Sequence, residues 1–111
     1  MSLLSELNTI ITGLNIPVET GIFSGAAPDA YTVLTPLTDS FALFSDNSPE
    51  TDIEEVRISL FDKGNYLAKK KQLETALLSA DITITGRRYI GREDDTGYHH
   101  YAVDTAKDYS T

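Results

Sequence analysis

Cysteine is absent from this chain of 111 residues, which excludes disulfides, thiolate metal ligands and a cysteine nucleophile. That absence permits a reducing cytoplasm. No run of about 18 apolar residues occurs, so no membrane span and no membrane partner are expected. The opening MSLLSELNTIITG lacks a basic leader region and carries Glu6 inside its apolar pattern. It reads as a structural helix and not as a signal peptide. Bases are scarce: nine Lys and Arg face seventeen Asp and Glu, for a formal net charge of -8. Such a field opposes generic nucleic-acid binding, which neutralises phosphates with Lys and Arg. Catalytic signatures are missing as well. There is no G-x-S-x-G elbow, and no glycine spacing gives a dinucleotide or phosphate loop. Adjacent acids such as Glu54 and Glu55 point to opposite sides of an extended chain and make no glycosidase pair.

What is present suits one domain spanning residues 1–111. A hydrophobic fraction of 41% supports a folded globule, which at this length buries roughly 65% of its extended surface. Leu3, Leu7, Ile10 and Leu14 recur at helical spacing, broadened by Leu4 and Ile11. Ser2 is placed to cap this first helix of about eleven residues, with Gly13 as a left-handed terminator before Pro17. Val18 to Phe23 suggests a short strand, and GAAPDA a turn-rich link, giving a flexible loop near 24–30. Tyr31–Leu34 and Phe41–Phe44 look extended, and a hairpin across TPLTDS would pair them. SDNSPETD reads as a mobile acidic loop near 45–53. It lacks the glycine turn and the twelfth-position glutamate of a calcium loop.

Val56, Ile58 and Leu60 alternate with Arg57, Ser59 and Phe61, which predicts a strand. Asn65 is placed to cap a second helix over Tyr66–Ser79, carrying Tyr66, Leu73, Ala76, Leu77 and Ala80 on one stripe. Leu67 and Leu78 flank that stripe. Glu74 lies four residues after Lys70, the spacing of a weak helical pair. Ile82–Ile90 predicts a further strand with a bulge at Gly86, and Tyr98–Thr105 the last one. The expected fold is therefore α+β, a mostly antiparallel sheet of four or five strands packed with two main helices and ending in a β-hairpin.

The segment GREDDTGYHH is the one short stretch that suggests chemistry. His99 and His100 are consecutive, so in a strand they point to opposite faces and cannot share one tetrahedral metal site without distortion. Asp-Thr-Gly is a good bend, since the acid bonds nearby amides and glycine tolerates positive φ. The reading is a polar hairpin with one packed histidine; no catalytic, cofactor-binding or metal-binding residue is assigned.

Two basic clusters and the tyrosines are the candidate interface. Lys69, Lys70 and Lys71 form one cluster; Arg87, Arg88 and Arg92 form the other. Each is either a solvated face or a patch that meets an acidic neighbour, another copy of this chain included. Tyr66, Tyr89, Tyr98 and Tyr101 join them, because tyrosine covers apolar area while its hydroxyl stays wet. The same tyrosines equally suit the rim of a small core.

The run VRISLFDKGNYL, followed by KKKQLETALLSADITITGRRYIGREDDTGYHHYAVDTAKDY, resembles small tail-completion or tail-terminator proteins of tailed bacteriophages and prophages of Gram-positive bacteria. The resemblance is strongest from Glu54 to Tyr109. It implies an α+β domain that joins or closes the tail near the head connector. It further implies self-association into a ring, often of six subunits, with contacts to tail-tube or connector proteins. The expected location is the virion tail, and the host cytoplasm during assembly. The alternatives are another prophage structural or adaptor protein that forms no ring, and, more remotely, a small enzyme or metal-binding protein.

Overall fold

The computed structural model describes residues 2–21, 27–45 and 48–110, with 41–45 and 48–50 described by their backbone alone. Among these residues the order is α1 (Leu3–Gly13), β1 (Val18–Thr20), β2 (Ala30–Ser45), β3 (Ser48–Asp62), α2 (Tyr66–Ser79), β4 (Thr83–Arg92) and β5 (His99–Ser110). The five strands form one mixed sheet in the order β1-β2-β3-β5-β4. Only β1 and β2 run parallel; the other three pairings are antiparallel. The fold is α+β, as the patterning predicts.

Capping sets both helices. The Ser2 hydroxyl accepts from the Ser5 amide at 3.2 Å, and the Ser5 hydroxyl accepts from the Ser2 amide at 3.2 Å, so two otherwise unpaired donors are satisfied. The Asn65 side chain accepts from the Ala68 amide at 3.3 Å and opens α2 where the sequence places it. The end of α1 differs from expectation. Gly13 stays helical, and the left-handed residue is Asn15, at φ 62°. Asparagine tolerates that region because its short polar side chain bonds locally.

Both helices pack on one face of the sheet. Leu3, Leu7 and Ile11 from α1 and Leu73 and Leu77 from α2 are fully buried against Leu34, Ile58, Leu60 and Val103. Two side chains of α2 that flank its stripe, Leu67 and Leu78, stay exposed. The pairing Leu60↔Tyr101, Ile58↔Val103 and Val56↔Thr105 brings the alternating apolar sets of β3 and β5 to the same face. Buried Thr32 and Thr105 remain satisfied there: their hydroxyls donate to the Pro17 and Val56 carbonyls at 3.0 and 2.7 Å.

Two expectations for the middle of the chain are corrected. Tyr31–Leu34 and Phe41–Phe44 are not a hairpin; both belong to the 16-residue β2, which pairs with β3 from Ala30↔Asp62 to Ser45↔Ser48. The polar residues Thr38, Asp39 and Ser40 look like a break, but they lie in a stretch of β2 whose side chains are all exposed, held extended by the ladder to β3. A register shift between Pro36 and Thr38 absorbs the proline, which has no N–H to offer a ladder. The acidic loop expected near 45–53 is likewise strand from Ser48 onward. Its residues 46–47 lie outside the described residues, as do 24–26 of the other expected loop. The arm elongates the molecule to 54 × 24 × 23 Å. The bulge at Gly86 is observed, as a register shift between Ile84 and Gly86.

Candidate interaction surface

Sheet register decides which candidate residues meet. Tyr89↔Tyr101 and Arg87↔Val103 place Tyr89 and Arg87 on the helix face, beside α2. Tyr66 sits among Tyr89, His99 and Tyr101, with ring centroids 5.4, 5.1 and 6.2 Å away. The Tyr89 hydroxyl and His99 Nδ1 are hydrogen-bonded at 2.9 Å. The Lys70 ammonium lies over the Tyr101 ring, 4.8 Å from its centroid. Lys69 reaches Asp62 at 3.0 Å, and that carboxylate also accepts from the Gly64 amide at 2.7 Å. Glu74 turns across to Arg87 at 3.1 Å and accepts from the Tyr101 hydroxyl at 3.4 Å. The expected Lys70–Glu74 helical pair is therefore replaced by a bond from α2 to β4. A carboxylate with a guanidinium and a hydroxyl in reach gains more than one exposed i,i+4 ammonium supplies.

The other four candidates lie elsewhere. Lys71 is on the flank of α2 near Leu14, Gln72 and Thr75. Arg92 approaches Asp94 at 3.8 Å in the β4–β5 connection. Arg88 and Tyr98 belong to the opposite side of the sheet. The proposed interface set is thus one patch of six residues plus four scattered ones.

That opposite side carries features the sequence reading missed. Tyr31 of β2, Phe61 of β3 and His100 of β5 form a continuous aromatic row, with centroid separations of 4.9 and 4.2 Å. Tyr98 meets Tyr31 and Phe61 edge-on at 5.3 and 6.3 Å, and its hydroxyl donates to the Pro28 carbonyl at 2.5 Å. His100 Nε2 is buried with no hydrogen-bond partner among the described residues. Burial pushes the His100 pKa down; Arg57 adds to this and Glu93 opposes it. Next along the same face, Arg57 grips Asp104 through two bonds of 2.7 and 3.1 Å. Those bonds hold the Asp104 carboxyl below its usual range against the effect of burial, with Arg88 adding its charge. Alternation alone puts Arg57 beside Phe61, and His100 beside Asp104. Only the register Arg57↔Asp104 and Phe61↔His100 joins the two sets.

At the far end of β5, Lys107 and Tyr109 both bond the Glu6 carboxylate of α1, the lysine at 2.9 Å. Burial pushes the Glu6 pKa up, but these two donors outweigh it, so the carboxyl titrates below its ordinary value. Among the described residues no three metal-ligating side chains converge. His99 and His100 point to opposite faces, one bonded to Tyr89 and the other stacked on Phe61. No protein-family model matches the chain, and no curated protein matches it significantly.

Proposed function

We propose that this chain is a structural virion protein that closes or joins a phage tail near the head connector, acting as a homomeric ring. The observation that carries the reading is the partition of charge along an elongated sheet. All nine Lys and Arg lie at or beyond Arg57, whereas nine of the seventeen acids precede it. The acidic part includes the β2–β3 arm, and the basic residues belong to α2, β4 and their surroundings. Unlike ends on one molecule favour head-to-tail contacts between copies, the type that closes into rings. Weak contacts repeated around a closed ring add up without any single tight interface. The role is recognition between surfaces, with no bond-making step, and it belongs in the virion tail after assembly in the host cytoplasm. Negative charge toward the ring's lumen would keep DNA phosphates from sticking during passage.

Absolute mass by light scattering during size-exclusion chromatography, across protein concentration and with tail-tube or connector proteins added, tests the reading. A discrete species near six protomers is expected. A chain that stays monomeric alone and joins tails as a single copy would instead be an adaptor, and the ring reading would be wrong.

A further inference from the structure

The sheet ends in two unlike edges. At one end β4 offers ten residues whose outer backbone groups pair with nothing among the described residues. At the other, β1 covers β2 only over Thr32–Leu34, so among the described residues the run Thr35–Ser45 has no outer neighbour. Among the residues whose side chains are described, three of the five exposed large apolar ones lie on these two edges: Tyr89 (45%) and Ile90 (44%) on β4, and Leu37 (43%) on β2. The remaining two, Leu67 and Leu78, are on α2.

Charge distinguishes the edges. Strand β4 holds three arginines and no acid, while the sequence 37–56 of the β2–β3 arm holds six acids and no base. Arg88 has no ion pair within bonding distance among the described residues, and neither has Asp39 or Glu55. Register puts Arg88 on the face away from the helices, opposite Ala102, and Glu55 on that same face of the arm, opposite Thr38.

We infer that the β4 edge of one copy pairs with the Thr35–Ser45 edge of the next, so that the sheet continues from protomer to protomer; this inference rests on the ring reading above. The occupant of each edge is a second copy of this chain. Within the sheet β2 and β4 run in opposite directions, so copies facing the same way around a ring meet antiparallel, which is the stronger ladder. The small side chains of Thr38 and Ser40 lie between the docked β4 and β3 on the Arg88 face, and leave its long side chain room to reach Glu55. Register shifts at Ile84/Gly86 and Tyr89/Gly91 interrupt β4, and the one at Pro36/Thr38 interrupts β2. Such irregularities blunt edges against indiscriminate pairing, leaving the opposite charges to select the partner. Level with β4 in the sheet lie residues 30–38 of β2, through Thr83↔Ala106, Ala106↔Glu55 and Glu55↔Thr38 at one end. Docking on Thr35–Ser45 therefore staggers successive copies along the strand, as strand tilt does in closed barrels.

The cysteine-free chain permits a direct test. Leu37→Cys and Ile90→Cys variants, both at exposed positions, are prepared separately, mixed and treated with a short bismaleimide. Leu67→Cys mixed with Leu78→Cys serves as the control, and unfolding curves verify that every variant is folded. The expected result is a mixed Leu37→Cys/Ile90→Cys adduct several-fold above the control pair and above either variant alone. Adding Arg88→Glu to the Ile90→Cys chain should cut that yield several-fold. Adducts within Leu37→Cys alone or Ile90→Cys alone, in place of the mixed one, would overturn the inference in favour of a two-fold contact. An oligomeric wild type in which only the control pair reacts, or no pair does, would also overturn it while leaving the ring reading intact. A monomeric wild type that also joins tails as a single copy would overturn both.

Discussion

His100 is the residue where environment and chemistry conflict most. Its ring is stacked on Phe61, and its Nε2 is buried without a partner among the described residues. The folded state therefore holds the neutral form, with a pKa below the ordinary 6.5. A histidine depressed in this way binds its proton in the unfolded chain first. Stability is thus full above the unfolded pKa and falls as pH drops from about 6.5 toward the lower folded value. Chemical denaturation measured at half-unit steps between pH 8 and pH 5 should show this slope, and His100→Phe should remove it. Glu6 adds a second loss at lower pH. Its folded pKa lies below the ordinary carboxyl value of 4.5, so its contribution is present above that value and disappears as pH falls further. Glu6→Gln should cost about 1.5–3 kcal/mol, the range for a hydrogen bond to a charged group, and flatten the acid limb of the same curve. That one histidine of the pair packs was legible from strand alternation. Which rings receive it was not, because Phe61 lies 39 positions earlier in the chain.

Among the elements, α2 shows how far periodicity reaches. Leu77 is fully buried, while Leu78, its neighbour in sequence, is 62% exposed. Leu77→Ala should destabilise the chain by about 2–5 kcal/mol through lost burial and a cavity. Leu78→Ala should stay within about 0.5 kcal/mol, as exposed changes usually do. Thermal or urea unfolding of the two variants separates them. Helix bounds and the Asn65 cap were legible because a repeating apolar stripe and a side-chain cap are local signals. The β2–β3 arm was not. From Thr35 to Ser40 every residue of β2 is exposed, so there is no apolar alternation to read, and a proline followed by Thr38, Asp39 and Ser40 imitates a turn. The ladder to β3 keeps this segment extended, and its partners lie far off in sequence, as in Thr35↔Arg57.

For the whole molecule, charge should set association. The attraction proposed between β4 and the arm would act between solvent-exposed groups, and screening shortens from about 10 Å at 0.1 M salt to about 3 Å at 1 M. Self-association should weaken across that range, measured by light scattering or sedimentation. Arg88→Glu should weaken it most at low salt. Lys70→Glu should do less to assembly, because Lys70 already lies over the Tyr101 ring of its own chain. Association that ignores both salt and Arg88 would leave only an apolar contact through residues such as Leu37, Tyr89 and Ile90.

The sequence by itself determined the helices, their N-caps, the apolar faces of β3 and β5, and the α+β class, since these follow from side-chain period and near-neighbour bonds. It also determined the separation of charge between the two halves of the chain. Only the tertiary structure decided that β2 runs unbroken, that Glu74 serves Arg87 and not Lys70, and that the basic and tyrosine residues divide between two faces of the sheet. The reason is register. A strand's own residues define two faces, but which residues of another strand share each face depends on pairings between positions remote in the chain.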